Sequence, residues 1–162
     1  MGNPLRYILS SLTILWLTLS ASHAAFPVGD HAVVIRIDDI QDYGSPSPYA
    51  LPEKMVLQYH IDNRIPALIS IIPARFGKDP QLIDQIKEGI TLGIFTVGIH
   101  GWLHEPFDSL SQDMQTAKMR YGKSRLEEVL GTKVLAFVPP YAKFNNDTIR
   151  ALARNGLTLM SS

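Results

Sequence analysis

Three short clusters combine residue types that can do chemistry. Asp38-Asp39 offers two carboxylates, His100 and His104 offer two imidazoles four residues apart, and Pro139-Pro140-Tyr141 offers a rigid turn with a phenol. Two imidazoles and one carboxylate suffice to bind a divalent metal ion with coordination positions left open. Such an ion lowers the pKa of a bound water to about 7 and polarises a carbonyl. A second carboxylate beside it can act as general base. The two aspartates are adjacent, so on a regular strand their side chains leave opposite faces. One can ligate while the other addresses the water only if the backbone twists or bulges there. The spacing of His100 and His104 puts both rings on one side of a helical turn. The chain has no cysteine, so a metal must be held by His, Asp or Glu. Each cluster alone has a plainer reading. Adjacent aspartates cap turns, paired histidines occur on surfaces by chance, and Pro-Pro-Tyr makes a stiff loop with a packed ring.

The elements around the clusters decide between these readings. Ala32–Ile37 is an apolar, β-branched run between Gly29-Asp30 and Asp38-Asp39, and reads as a buried strand. Tyr43–Pro52, with Gly44, Pro46, Pro48 and Pro52, reads as a loop. Glu53–Asn63 reads as a helix with Val56, Tyr59 and His60 on one face, and Pro66–Ile72 as a second buried strand. Asp79-Pro80 supplies a cap and a first helical residue for Leu82, Ile83, Ile86 and Ile90, and Gly93 closes that helix. Ile94–Ile99 is a third strand. A helix starting near Ser109 or Ser111 carries Leu110, Met114, Ala117 and Tyr121 and stops at Gly131. Lys133–Val138 is a fourth strand. Asn146 or Asp147 caps a helix with Ile149, Leu152 and Ala153 inside and Gly156 after it, and Leu157–Met160 begins a fifth strand.

This alternation implies right-handed crossovers and a mainly parallel sheet. In such folds chemistry collects at the carboxyl ends of the strands. Parallel strands bring the ends of the first, third and fourth to one rim, so both carboxylates and both imidazoles converge there. His60 reads as packed or half exposed, and His31 has no comparable context. Asp42 reads as serving its loop, with a supporting role beside the Asp pair as the alternative. Glu105 reads as solvated.

With 162 residues and 46% apolar side chains, the chain is long and apolar enough for one folded domain. Fifteen basic and fifteen acidic groups leave no net charge, which argues against a nucleic-acid partner. Met1–Arg6, the apolar run Tyr7–Leu19 and the small residues before Ala25 follow the order of a secretory signal cut after Ala24. The run is shorter than the roughly 20 apolar residues of a spanning helix, although an uncleaved anchor is the alternative. The expected organisation is a signal peptide over 1–24 and one domain over 25–162, extracytoplasmic or secreted, with no stable membrane anchor after cleavage. A parallel sheet whose fifth strand meets the last residue implies an edge strand there or a C-terminally incomplete domain.

The ordered set of clusters resembles the polysaccharide deacetylases (NodB-homology), a family of metal-dependent carbohydrate esterases. Ile37–Asp39 resembles the family's first motif, His100–His104 the second and Phe137–Tyr141 the third, with Asn146 and Thr148 in a similar helix start. The resemblance implies a distorted, incomplete (β/α) barrel. It implies one divalent metal ion on Asp39, His100 and His104, zinc first, with cobalt, manganese or iron also suited. Asp38 would take a proton from the attacking water, the Tyr141 N–H would hold the oxyanion, and Pro139 and Tyr141 would line the sugar cleft. The substrate would be an acetylated polysaccharide or oligosaccharide. Two departures stand out. The third motif usually begins with an Arg that orients the base, where this chain has Val138; Arg36, two residues before Asp38, leaves the strand on the same face and could supply that charge, with a buried structural Arg–Asp pair as the alternative. The family's later motifs, including a late His that protonates the leaving amine, have no counterpart here. Two further readings use the same residues. One is a non-catalytic relative that binds metal or sugar. The other is a different hydrolase or isomerase on an α/β barrel.

Overall fold

The computed structural model describes residues 33–44 and 48–162. The expected signal peptide and His31 lie outside the described residues. The elements run β1 (Arg36–Ile40), α1 (Ala50–Asp62), β2 (Ala67–Ile71), α2 (Pro80–Thr91), β3 (Phe95–Ile99), α3 (Gln112–Leu130), β4 (Ala136–Phe137), α4 (Asn146–Arg154) and β5 (Leu159–Met160). All four strand pairings are parallel, in the order β1-β2-β3-β4-β5. This is the α/β architecture expected. Among the described residues the sheet stays open between β5 and β1, so the barrel is incomplete. None of the described helices is long and apolar enough to cross a membrane.

Apolar runs that read as buried strands become the centre of the sheet. Ile69, Ile71 and Ile99 are fully buried and pack with Leu57 of α1, Ile86 of α2 and Leu126 of α3. Phe107 and Phe137 stack with ring centroids 4.8 Å apart beneath the rim that carries the polar clusters. The helices are set by local chemistry. Asp79 accepts from the N–H groups of Gln81 and Leu82 at 3.0 and 3.2 Å, with Pro80 in the first turn. Ser111 caps α3, and Gly131 closes it at φ 68°, a conformation that favours glycine.

Several boundaries and faces differ from the sequence expectations. The first strand starts at Arg36 and runs through both aspartates, while Val33 and Val34 are 91% and 73% exposed. Among the described residues they flank an edge strand with one neighbour, β2, and stay exposed. Val34 and Ile35 instead border a cavity of about 420 Å³ shared with Leu68, Thr96, Leu159 and Met160. Helix α1 begins at Ala50, with Pro52 in its first turn, and buries Leu57, His60 and Ile61, leaving Val56 and Tyr59 exposed. The largest difference is the face of α3. It buries Gln115, Met119, Gly122, Leu126 and Leu130, and exposes Met114 and Tyr121. Gln115 donates to the Leu110 carbonyl and to Asn145 and accepts from Thr148, so its burial leaves nothing unsatisfied. Gly122 is there because a Cβ would lie 2.9 Å from Ile99 Cγ2. A polar residue and a glycine on the inner face concealed it from an apolar count. The α4 cap is Asn145, one residue earlier than expected, in a reciprocal capping box with Thr148. That helix buries Thr148, Ala151 and Leu152, whereas Ile149 and Ala153 are exposed. The strand read over Lys133–Val138 pairs only at Ala136–Phe137.

Candidate active site

The carboxyl end of β1 breaks its own alternation. Arg36 and Ile37 pair with Leu68 and Ile69, but the next partner of Ile71 is Ile40, so β1 holds one extra residue. Asp39 sits in that bulge at φ 66°, strained for a residue with a side chain. The bulge meets the demand set by the adjacent aspartates, since both now serve the same rim.

Asp39 Oδ1 lies 3.0 Å from His104 Nε2 and 3.4 Å from His100 Nε2. The ligating atoms of the three residues fall within 4.8 Å of one another. His100 extends from the end of β3 and is buried; its Nδ1 lies 2.9 Å from the Val138 carbonyl. A carbonyl can only accept, so Nδ1 carries a proton, and in its neutral form the ring turns the Nε2 lone pair toward Asp39. Burial, the largest influence, pushes the His100 pKa below its ordinary value, against the raising effects of the Val138 bond and of Asp38 and Asp39. A lone pair facing a carboxylate oxygen calls for a cation between them, and burial disfavours the proton. The donor set therefore fits a divalent ion. Ligand bonds of about 2.0–2.1 Å in a tetrahedron put donors about 3.3–3.4 Å apart, close to the two Asp39–imidazole separations. The Nδ1 of His104 lies 3.1 Å from the Tyr141 hydroxyl, whose ring packs edge-on against it. Such outer contacts fix the orientation of a ligating imidazole.

The loop between the histidines is not the helical turn that their spacing suggests. Gly101 and His104 have φ of 69° and 70°. Glu105, expected in solvent, accepts from the N–H groups of Trp102 and Leu103 at 3.1 and 2.6 Å and pairs with Lys118 at 2.6 Å. Burial works against its charge, but these partners outweigh it and hold its pKa below the ordinary value. A carboxylate thus takes the amides that a helix would have used, and turns His104 back toward His100. A Cβ on Gly101 would lie 2.9 Å from Pro140 Cγ, which pins this loop against the third motif.

Asp38 faces the same rim with both oxygens engaged. Ser70 Oγ donates to Oδ1 at 2.7 Å, and Arg36 Nε and Nη2 reach Oδ2 at 3.0 and 2.9 Å. Tyr141 is 64% exposed, with φ 57°. Of the two residues expected to line the cleft, Tyr141 stands at the surface and Pro139 is buried, where it sets the path of the loop. Val138 is fully buried. His60 is packed, its Nδ1 2.9 Å from the Ile65 carbonyl. Asp42 accepts from the Lys78 N–H at 2.6 Å and serves its loop. The sequence reading passed over Ser70 and the Val138 carbonyl, and placed Glu105 in solvent. Ser70 left a trace, as the lone hydroxyl inside an apolar strand; the carbonyl could leave none.

The description "Polysaccharide deacetylase" matches residues 27–160. A comparison with curated proteins found no match. Among solved structures, the chain is similar to a family 4 carbohydrate esterase from Streptomyces lividans in complex with acetate, at 20% identity and TM-score 0.62, covering 78% of this chain and 60% of that one. It is also similar to a deacetylase from Streptococcus pyogenes in complex with acetate, at 19% identity and TM-score 0.63, covering 76% and 52%. A third is a pseudoenzyme of the same esterase family from Bacillus anthracis, at 14% identity and TM-score 0.61, covering 78% and 41%. The chain spans between about two fifths and three fifths of the length of these structures. At these identities the likeness concerns the fold, and the sequence match settles the family: this chain belongs to the polysaccharide deacetylases.

Proposed function

We propose that this chain is a metal-dependent deacetylase that removes acetyl groups, from amides and from some esters, on an extracytoplasmic glycan. The observation that carries the reading is the Asp39 carboxylate set 3.0 and 3.4 Å from two imidazole nitrogens beside a separately held carboxylate, Asp38. Asp39, His100 and His104 would hold one divalent ion. Zinc is the first expectation, with cobalt, manganese or iron suited to the same donors, and the ion would supply Lewis-acid polarisation of the carbonyl and of water. Asp38 takes the proton of the attacking water. The Tyr141 N–H donates to the oxyanion as the carbonyl becomes tetrahedral, and the Tyr141 ring forms part of the cleft wall. Collapse breaks the acyl bond, the proton taken up by Asp38 passes to the leaving nitrogen or oxygen, and acetate and the free amine or hydroxyl result. The signal-like segment before Ala25 supports a location outside the cytoplasm.

The test is acetate release from an acetylated chito-oligosaccharide by wild type and Asp38→Asn. Loss of a positioned general base costs about 10²- to 10⁴-fold, and a loss in that range is expected while sugar binding survives. Equal release by both proteins would contradict the reading. One observation favours a second reading, a non-catalytic binder of metal or sugar: the position where the family usually carries its orienting Arg holds the buried, apolar Val138. Sugar binding with no acetate release in either protein would favour that reading.

A further inference from the structure

Asp38 is gripped on both of its oxygens by different elements. Ser70 on β2 holds Oδ1 at 2.7 Å, while Nε and Nη2 of Arg36 converge on Oδ2. The remaining guanidinium nitrogen, Nη1, donates at 3.0 Å to Ser161 Oγ, one residue past β5. The arginine thus bridges the two edges of the open sheet and ends on the carboxylate nearest the ligand cluster. We propose that Arg36 is a positioning residue for the reaction, that it fixes the plane of the Asp38 carboxylate toward the attacking water, and that Ser161 fixes Arg36 in turn. This rests on the deacetylase reading.

Three arguments carry it. With Ser70 alone, the carboxylate is held at one oxygen and remains free to swing about its terminal torsion, a broad, soft rotation. The planar guanidinium removes that freedom from the other side. As a stabiliser of the fold the pair is poorly placed, since both side chains are about 30% exposed and ion pairs open to solvent contribute little. And the guanidinium occupies the side of Asp38 that faces away from Ser70, with a partner of its own at the far edge, so its position does not depend on Asp38 alone.

The experiment is a double-mutant cycle. kcat and KM for acetate release are measured for wild type, Arg36→Ala, Arg36→Lys, Asp38→Asn and the Arg36→Ala/Asp38→Asn pair, with bound metal counted in each. Arg36→Ala is expected to lower kcat about tenfold or more with KM within about twofold and metal retained, and Arg36→Lys to recover part of the loss. In the Asp38→Asn background Arg36→Ala is expected to cost nothing further, because a residue that acts through Asp38 has nothing left to act on. An unchanged kcat in Arg36→Ala overturns the proposal, as does an equal loss in both backgrounds. A wild type that binds metal yet releases no acetate overturns the deacetylase reading and this proposal with it. That outcome is distinct from an active wild type indifferent to Arg36.

Discussion

Asp39 and Asp79 each put a carboxylate at the boundary of an element, and each has a nitrogen partner within 3.0 Å, His104 for one and Lys54 for the other. The cap that Asp79 makes is local. Its φ of −98° is ordinary, its oxygens cap α2 through Gln81 and Leu82, and Lys54 supplies a fixed positive charge. Everything around Asp39 is long-range and strained. It takes φ 66° in a bulge, its side chain is 53% exposed, and its partners come from a loop sixty residues away that itself needs His104 at φ 70°. Neither imidazole brings a permanent charge. A carboxylate with a permanent cation is complete; a carboxylate facing two imidazoles leaves room for one. Backbone strain held at that arrangement is what singles it out as the candidate site.

The contrast can be sharpened from both sides. Tyr141→Phe keeps the ring and the backbone N–H but removes the hydroxyl beside His104 Nδ1. Loss of such an outer contact typically costs about 10- to 100-fold in metal affinity, and titration with a chelator-buffered metal should find a loss of that order. An unchanged affinity would mean that the Tyr141 hydroxyl does not orient His104. Asp79→Ala should do the reverse, with metal binding intact and stability at neutral pH lower by about 1 kcal/mol from the missing cap. The sign with pH follows from the direction of its pKa. Burial opposes the Asp79 charge, but Lys54 and the N–H groups of Leu82 and Gln81 outweigh it and hold its pKa below 3.8. Its contribution is therefore present above 3.8 and lost as pH falls through the lowered folded value. Urea unfolding of wild type and Asp79→Ala should differ at neutral pH and converge in acid. A gap that stays constant into acid would show that the charge of Asp79 contributes nothing.

How much of this was legible in the sequence depended on how far apart the causes lie. Asp79-Pro80, Ser111 and Gly131 act on their own neighbours, and each caps the helix it was expected to cap. Strand-end placement was legible too, because parallel connections leave little choice about which rim Asp38, Asp39 and His100 share. The inner face of α3 was not, because Gln115 is buried only by virtue of Asn145, Thr148 and a carbonyl from elsewhere in the chain. The four-residue spacing of the histidines pointed to a pair that the structure does bring together, but by a different geometry. Glu105 and Gly101, not helical periodicity, bring the rings together. The grip on Asp38 was half legible: Arg36 stands two residues away on the same face, whereas Ser70 and Ser161 reach it only through the parallel packing and the curl of the sheet.

Metal stoichiometry on purified wild type beside His100→Ala tests the central claim most directly, because His100 is the buried member of the cluster, with its Nε2 already turned to Asp39. The account expects about one tightly held divalent ion per wild-type chain and none in a folded His100→Ala. A folded wild type that holds no divalent ion, or a His100→Ala protein that keeps a full equivalent, would contradict it.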